Sequence, residues 1–134
     1  MAKAAEKTAD SVLDASAFLA MLKSEPGWDR VAVALPTAAM SSVNAAEVYS
    51  KLSEWSVSRA EHARCHAVIK DRIVPFDADL AYRTGALRAA TMHKGLSLAD
   101  RACLALAQRM GVRAITSDKV WAELNVKIDI EVIR

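Results

Sequence analysis

Cysteine is nearly absent from this chain: Cys65 and Cys103 are the only two in 134 residues, with no C-x-x-C spacing. They cannot build a disulfide framework or a thiolate metal cluster, and a reducing, cytoplasmic setting fits them. Glycine is almost as scarce. Four scattered glycines leave no Gly-rich phosphate loop. Aromatics make up 5% of the chain while Ala, Val and Leu abound, a balance that suits small-residue helix packing better than an all-β sandwich. Long apolar runs are missing too. The longest, Val31 to Met40, is interrupted by Pro36 and Thr37, and a membrane span needs roughly 20 residues. Residues 1–10 carry charges and no apolar centre, unlike a secretory signal. They read as a mobile extension of helical character ahead of one domain over residues 11–134.

What is present supports a packed core. Apolar residues reach 53%, and the length suits a single compact domain. Lys and Arg number 18 against 16 Asp and Glu, a net charge of +2. That balance alone says little about nucleic acid. Setting aside the four acids Asp14, Glu47, Asp100 and Asp118 leaves an excess of six positive charges, enough to hold phosphates near a site built from those acids.

Hydrophobic periodicity predicts strands at 11–14, 38–42, 72–76, 112–116 and 128–133. Helices are predicted at 15–22, 28–35, 44–57, 59–70, 77–93, 97–110 and 118–124. Strand–helix alternation of this kind implies an α/β fold: a central five-stranded, mainly parallel sheet with helices on both faces. Gly85, costly inside the long 77–93 helix, suggests a close helix approach there.

The four acids stand out by position. Asp14 and Asp118 each end a strand and open a helix. Either serves equally well as an N-cap or as a ligand-facing group at the sheet's carboxyl edge. Glu47 lies three residues after Asn44, in capping-box spacing, and one turn before Lys51. Asp100 follows Ser97 with the same spacing, but its helix face carries Cys103, Leu104 and Ala107. A carboxylate there needs compensation that no side-chain cation provides. Four carboxylates meeting at one edge would repel each other, and a hard divalent ion relieves that repulsion. An all-oxygen set suits Mg²⁺ or Mn²⁺ better than zinc.

The runs Val12-Leu13-Asp14-Ala15-Ser16-Ala17, Asn44-Ala45-Ala46-Glu47-Val48, Leu96 to Ala107 and Ile115-Thr116-Ser117-Asp118-Lys119-Val120-Trp121 resemble the PIN-domain family, and more closely its VapC-type ribonuclease toxins. The third run is the most specific, and the order and spacing of all four reinforce it. Phe76 to Ala81 with Gly85 to Arg88 resembles the family's central helix. Such toxins commonly begin one or two residues before the first strand, whereas about ten precede it here.

The resemblance implies a Mg²⁺- or Mn²⁺-dependent endoribonuclease, a homodimer, held inactive by a cognate antitoxin protein. It maps the acidic set onto Asp14, Glu47, Asp100 and Asp118. Asp14, Asp100 and Asp118 are the expected metal ligands, Glu47 a ligand or a base for the attacking water. Ser16 or Thr116 is expected to orient a carboxylate. Arg83, Arg88, Arg101 and Lys119 are the nearest basic candidates along the chain for RNA, though any single one reads more readily as part of a solvated helix face.

Other features carry less. His62 and His66 stand one helical turn apart, but no third ligand is evident. Trp28 and Trp55 suit either a partner groove or a half-buried contact. The stripe Leu19, Leu22, Trp28, Val31 suits an amphipathic antitoxin segment or plain core. The main rival reading is a non-catalytic PIN module that binds RNA or a partner. A phosphatase of another α/β fold lacks its second Asp, since Ala15 and Ser16 follow Asp14. A receiver-type phospho-acceptor lacks its strand-end lysine.

Overall fold

The chain is described by a computed structural model covering residues 2–134, with side chains from residue 5 onward. Five strands, β1 (Ser11–Leu13), β2 (Ala38–Ser41), β3 (Ile73–Val74), β4 (Arg113–Thr116) and β5 (Ile130–Val132), form one sheet in the order β3-β2-β1-β4-β5. Every pairing is parallel. The expected α/β architecture is therefore present, with helices covering both faces.

Strand alternation divides the core into two layers. Leu13, Ala38, Met40 and Ile115 point to one face, where α2 (Ala15–Leu22), α3 (Trp28–Ala34), α4 (Ser42–Glu54) and α5 (Arg59–Ile69) supply Phe18, Val31, Val48, Leu52 and Ile69. Val12, Ala39 and Ala114 point to the other, against Leu80 of α6 (Ala78–Ala86) and Cys103, Leu104 and Leu106 of α8 (Leu98–Met110). Burial on both faces explains why the strands read as short apolar runs. At the sheet edge, β3 stops after two residues because Pro75 has no N–H to continue a ladder.

The ends of α8 follow their local chemistry. Ser97 Oγ accepts from the Asp100 amide, and Asp100 Oδ2 accepts from the Ser97 amide, a reciprocal capping box. Gly111 closes the helix in the left-handed region at φ 68°.

The predicted long helix over 77–93 is instead two. After α6, Leu87 breaks the run and α7 (Arg88–Thr91) begins. Nor does a close approach explain Gly85. A Cβ placed there would meet nothing within 4 Å. A glycine inside a helix with open space around it weakens that helix, and the break falls two residues later. Gly85→Ala is expected to stabilise the protein by about 0.5–1 kcal/mol. A rise in the urea midpoint with unchanged slope would register it; no rise would mean that the break serves the native packing.

Residues 2–8, inside the segment expected to be a mobile extension, form α1 (Ala2–Thr8). Ala5 and Ala9 rest on the α8-side core, and Glu6 forms a two-pronged ion pair with Arg109 at 2.6 and 3.0 Å. Arg109 also reaches Asp77 and Asp79 at the start of α6, so one guanidinium joins three helices. No helix among the described residues is long and apolar enough to cross a membrane.

Candidate active site

The chain leaves β1 for β2 and β3 on one side, then crosses to β4 on the other. The carboxyl ends of β1 and β4 therefore flank the point where strand order reverses, the place where ligands settle in open α/β sheets. Asp14 follows β1 at that point. It is the N-cap of α2, and it is only 3% exposed. The cap of α2 is thus a buried carboxylate at the switch point.

Asp14 is densely held. Oδ1 accepts from the Ala17 amide at 2.8 Å, and the Ser16 hydroxyl lies 2.8 and 2.9 Å from the two carboxylate oxygens. The Thr116 hydroxyl, at the end of β4, donates to Oδ2 at 2.6 Å. Thr116 and Ser16 also touch at 3.2 Å, and the Ser117 amide donates to Ser16 Oγ at 3.1 Å. Both residues expected to orient a carboxylate are in position to do so. Burial nonetheless pushes the Asp14 carboxyl up to about 7, against the lowering effect of those donors, and the Asp100 charge pushes it further in the same direction.

Asp100 and Glu47 complete an acidic corner. Asp100 is half-buried on the first turn of α8, with Oδ2 engaged in the capping box. Glu47 lies a turn and a half into α4, and partial burial followed by the Asp100 charge raises its carboxyl. Below them sits Cys103, fully buried. Its thiol is pushed well up by burial and then by Asp14, Asp100 and Glu47 in turn. A negative field from three carboxylates therefore converges on one buried spot. Asp118 stands apart. It is exposed, caps the 3-10 helix Lys119–Glu123 through the Val120 amide, and connects to Asp14 only through its own amide on Thr116 Oγ1.

Among the described residues, no three His, Cys, Asp or Glu side chains are gathered closely enough to hold an ion as they stand. The donor chemistry still fits a hard divalent cation: carboxylate oxygens only, one deeply desolvated, and no lysine or arginine neutralising the pair Asp14 and Asp100.

Several expectations need correcting. Helix α4 begins at Ser42 with Ser41 as its cap, so Asn44 is not a helix cap and Glu47 does not close a capping box. Instead, the fully buried Asn44 side chain donates to Glu47 Oε1 at 3.2 Å and to the Ala99 carbonyl at 3.1 Å. In the sequence this contact is hidden because the spacing to Glu47 has a simpler reading as a capping box. Arg101 is not a surface cation for RNA. It is 4% exposed and donates to Thr91 Oγ1 at 2.8 Å. Arg83 pairs with Asp79 and reaches Gln108, near the far end of α8 from Asp100, about 12 Å along the helix axis. Arg88 and Lys119 are exposed.

Away from the corner, His66 Nδ1 is 2.8 Å from the Tyr49 hydroxyl, and His62 gains no third metal-binding neighbour among the described residues. The stripe readable as either core or partner surface is split: Val31 is core and Leu19 partly buried, whereas Leu22 and Trp28 are exposed. An apolar groove of about 440 Å³ lies beside Leu22, lined by Phe18, Leu52, Trp55, Val57, Cys65 and Val68.

A family model described as the PIN domain matches residues 11–127. No curated protein sequence matches closely enough to count as a relative. Solved structures do match. The DNA-bound VapBC complex of Salmonella typhimurium superposes with a TM-score of 0.72 at 19% identity, covering 94% of this chain and 99% of that one. VapBC-5 of Mycobacterium tuberculosis, a member of a toxin–antitoxin family, gives 0.60 at 25% identity, with 93% and 98% covered. Mycobacterium tuberculosis VapC20, a toxin that cleaves the sarcin–ricin loop, gives 0.67 at 18% identity, with 89% and 98% covered.

Proposed function

The chain belongs to the PIN-domain family, and from that premise we propose that it is a Mg²⁺- or Mn²⁺-dependent endoribonuclease acting as the toxin of a toxin–antitoxin pair. The observation that carries this reading is Asp14: a carboxyl buried at the sheet's switch point, raised to about 7, facing the charges of Asp100 and, through it, Glu47. Burying acids together without a protein cation is costly unless an ion joins them. The cleavage of the sarcin–ricin loop by the structurally similar VapC20, and the paired complexes of the other neighbours, support the same reading.

Asp14 and Asp100 would be the main residues to hold the ion, with Asp118 reaching it directly or through water. Glu47 ligates or takes a proton from the attacking water. Ser16 and Thr116 hold the Asp14 carboxylate in one orientation. When bound, the ion supplies an activated water and neutralises charge on the phosphodiester. Water oxygen would bond to phosphorus as the bond to the 3′-oxygen breaks, the water's proton passing to Glu47 and the departing 3′-oxygen taking a proton from solvent. Lys119, beside Asp118, and Arg88 are the cations left to hold RNA phosphates, which would make binding strongly salt-dependent. The groove beside Leu22 is the surface for an amphipathic antitoxin segment. A homodimer in the cytoplasm completes the proposal.

The test uses purified, partner-free protein and total RNA, with Mn²⁺ or chelator, beside Asp100→Asn. Asparagine still accepts from the Ser97 amide, so the cap of α8 survives. Discrete cuts that need the ion and vanish in the variant are expected. Protein that neither cuts nor binds Mn²⁺ would hand the lead to the non-catalytic RNA- or partner-binding module.

A further inference from the structure

We propose that Asn44 is a positioning residue, which ties the Glu47 carboxylate to the first turn of α8 and so sets where Glu47 stands relative to Asp100. The inference rests on the nuclease reading above, and it adds a residue that the acidic pattern does not contain.

The geometry is specific. Asn44 is completely buried between α4 and α8. Its amide nitrogen serves two acceptors on different elements: Glu47 Oε1, one turn on in α4, and the carbonyl of Ala99, which immediately precedes Asp100. The Ala99 carbonyl can only accept, so the amide nitrogen must face it and the orientation of the group is settled. The side-chain oxygen is then turned the other way, where it is buried with no donor among the described residues.

That orphaned oxygen argues against a merely structural role. A buried acceptor without a donor is a penalty that an apolar side chain of similar volume would avoid. Packing α4 on α8 does not require it. What only the amide provides is a two-way donor linking a mobile carboxylate to the backbone beside another. Without it, Glu47 has a half-exposed side chain with several rotamers and a repelling neighbour in Asp100. Groups that orient ligands or catalytic carboxylates typically contribute about 10- to 100-fold to affinity or activity.

The test combines Asn44→Leu, which keeps the branched shape and heavy-atom count and removes the orphan, with Glu47→Ala in a double-mutant cycle. Expected results are an unchanged or higher melting temperature for Asn44→Leu, and kcat on an RNA oligomer about 10- to 100-fold lower with KM little changed. In the Glu47→Ala background the same substitution is expected to cost less than about threefold, because its effect runs through Glu47. Calorimetric titration of RNA-free protein with Mn²⁺ should show about tenfold weaker binding in Asn44→Leu. Equal fold-losses in both backgrounds, or wild-type cleavage by Asn44→Leu, would overturn the assignment. Wild-type protein that cuts no RNA would defeat the nuclease reading alone. The Mn²⁺ titration would then still decide Asn44, with unchanged affinity counting against it.

Discussion

In chelator at pH 8, Asp14→Asn protein is expected to melt higher than wild type, and with Mn²⁺ restored it is expected to cut no RNA. The two halves come from the same carboxyl. In the folded chain Asp14 releases its proton only near pH 7, whereas in the unfolded chain it does so near its ordinary value of 3.8. Between those values the native state holds a proton that the unfolded state has lost. Stability therefore falls as pH rises through that window and levels off above it. A gap of this size is worth about 4 kcal/mol above pH 7, and in a domain this small that is a melting shift on the order of 10 °C. Asparagine has no proton to lose. Its oxygen can accept from the Ala17 amide as Asp14 does, and the Ser16 and Thr116 hydroxyls can turn to accept from its nitrogen.

Wild type with Mn²⁺ should recover the stability lost at pH 8, since the ion favours the ionised carboxyl; Asp14→Asn should gain little. Cleavage should drop by more than about 100-fold, because even residues that merely orient ligands reach that level. Scanning fluorimetry from pH 4 to pH 9, with and without Mn²⁺, reads the first half, and an RNA time course reads the second. A wild-type melting curve flat across that range, or an active Asp14→Asn enzyme, would remove Asp14 from the centre of the site.

Much of this arrangement was legible in the sequence because local chemistry and tertiary role agree. Asp14 and Asp118 announce strand ends by capping the helical turn that succeeds each strand, and both do cap in the structure. Ser97, Asp100 and Gly111 mark both ends of α8. Illegible features are those decided by a third layer. Arg101 looks like a surface cation next to Asp100, but α8 is enclosed by the sheet, α4 and α6, so residues 101–107 are buried on every face. Helical periodicity assumes one wet side, and this helix has none along that stretch. Arg83 shares the family's central region yet faces the wrong end of α8. Asn44 hid behind a spacing that also describes a capping box, because the true start of α4 depends on Ser41 finishing β2.

Gly27→Ala is expected to be among the most damaging single-methyl additions to this protein, about 3–5 kcal/mol. In the turn Glu25-Pro26-Gly27, Gly27 has φ 91°, a backbone conformation that alanine adopts only under strain. Space makes matters worse. A Cβ there would stand 2.3 Å from the Ile133 carbonyl oxygen and 2.8 Å from the Ile133 Cβ. The nearest obstacle is backbone, so no rotamer change clears it, and either the turn or the end of the chain must move. The Ile133 amide donates to the Thr116 carbonyl at 3.0 Å, and the Thr116 hydroxyl is the closest donor to Asp14. Displacing Ile133 thus loosens β4 directly behind the acidic corner. Urea unfolding should show a loss of stability of that size, and cleavage at a temperature where the variant is still folded should also decline. A variant that unfolds at the wild-type midpoint would mean that the 25–27 turn can shift away from Ile133 at little cost. A destabilised variant with full activity would mean that Thr116 holds Asp14 without support from β5.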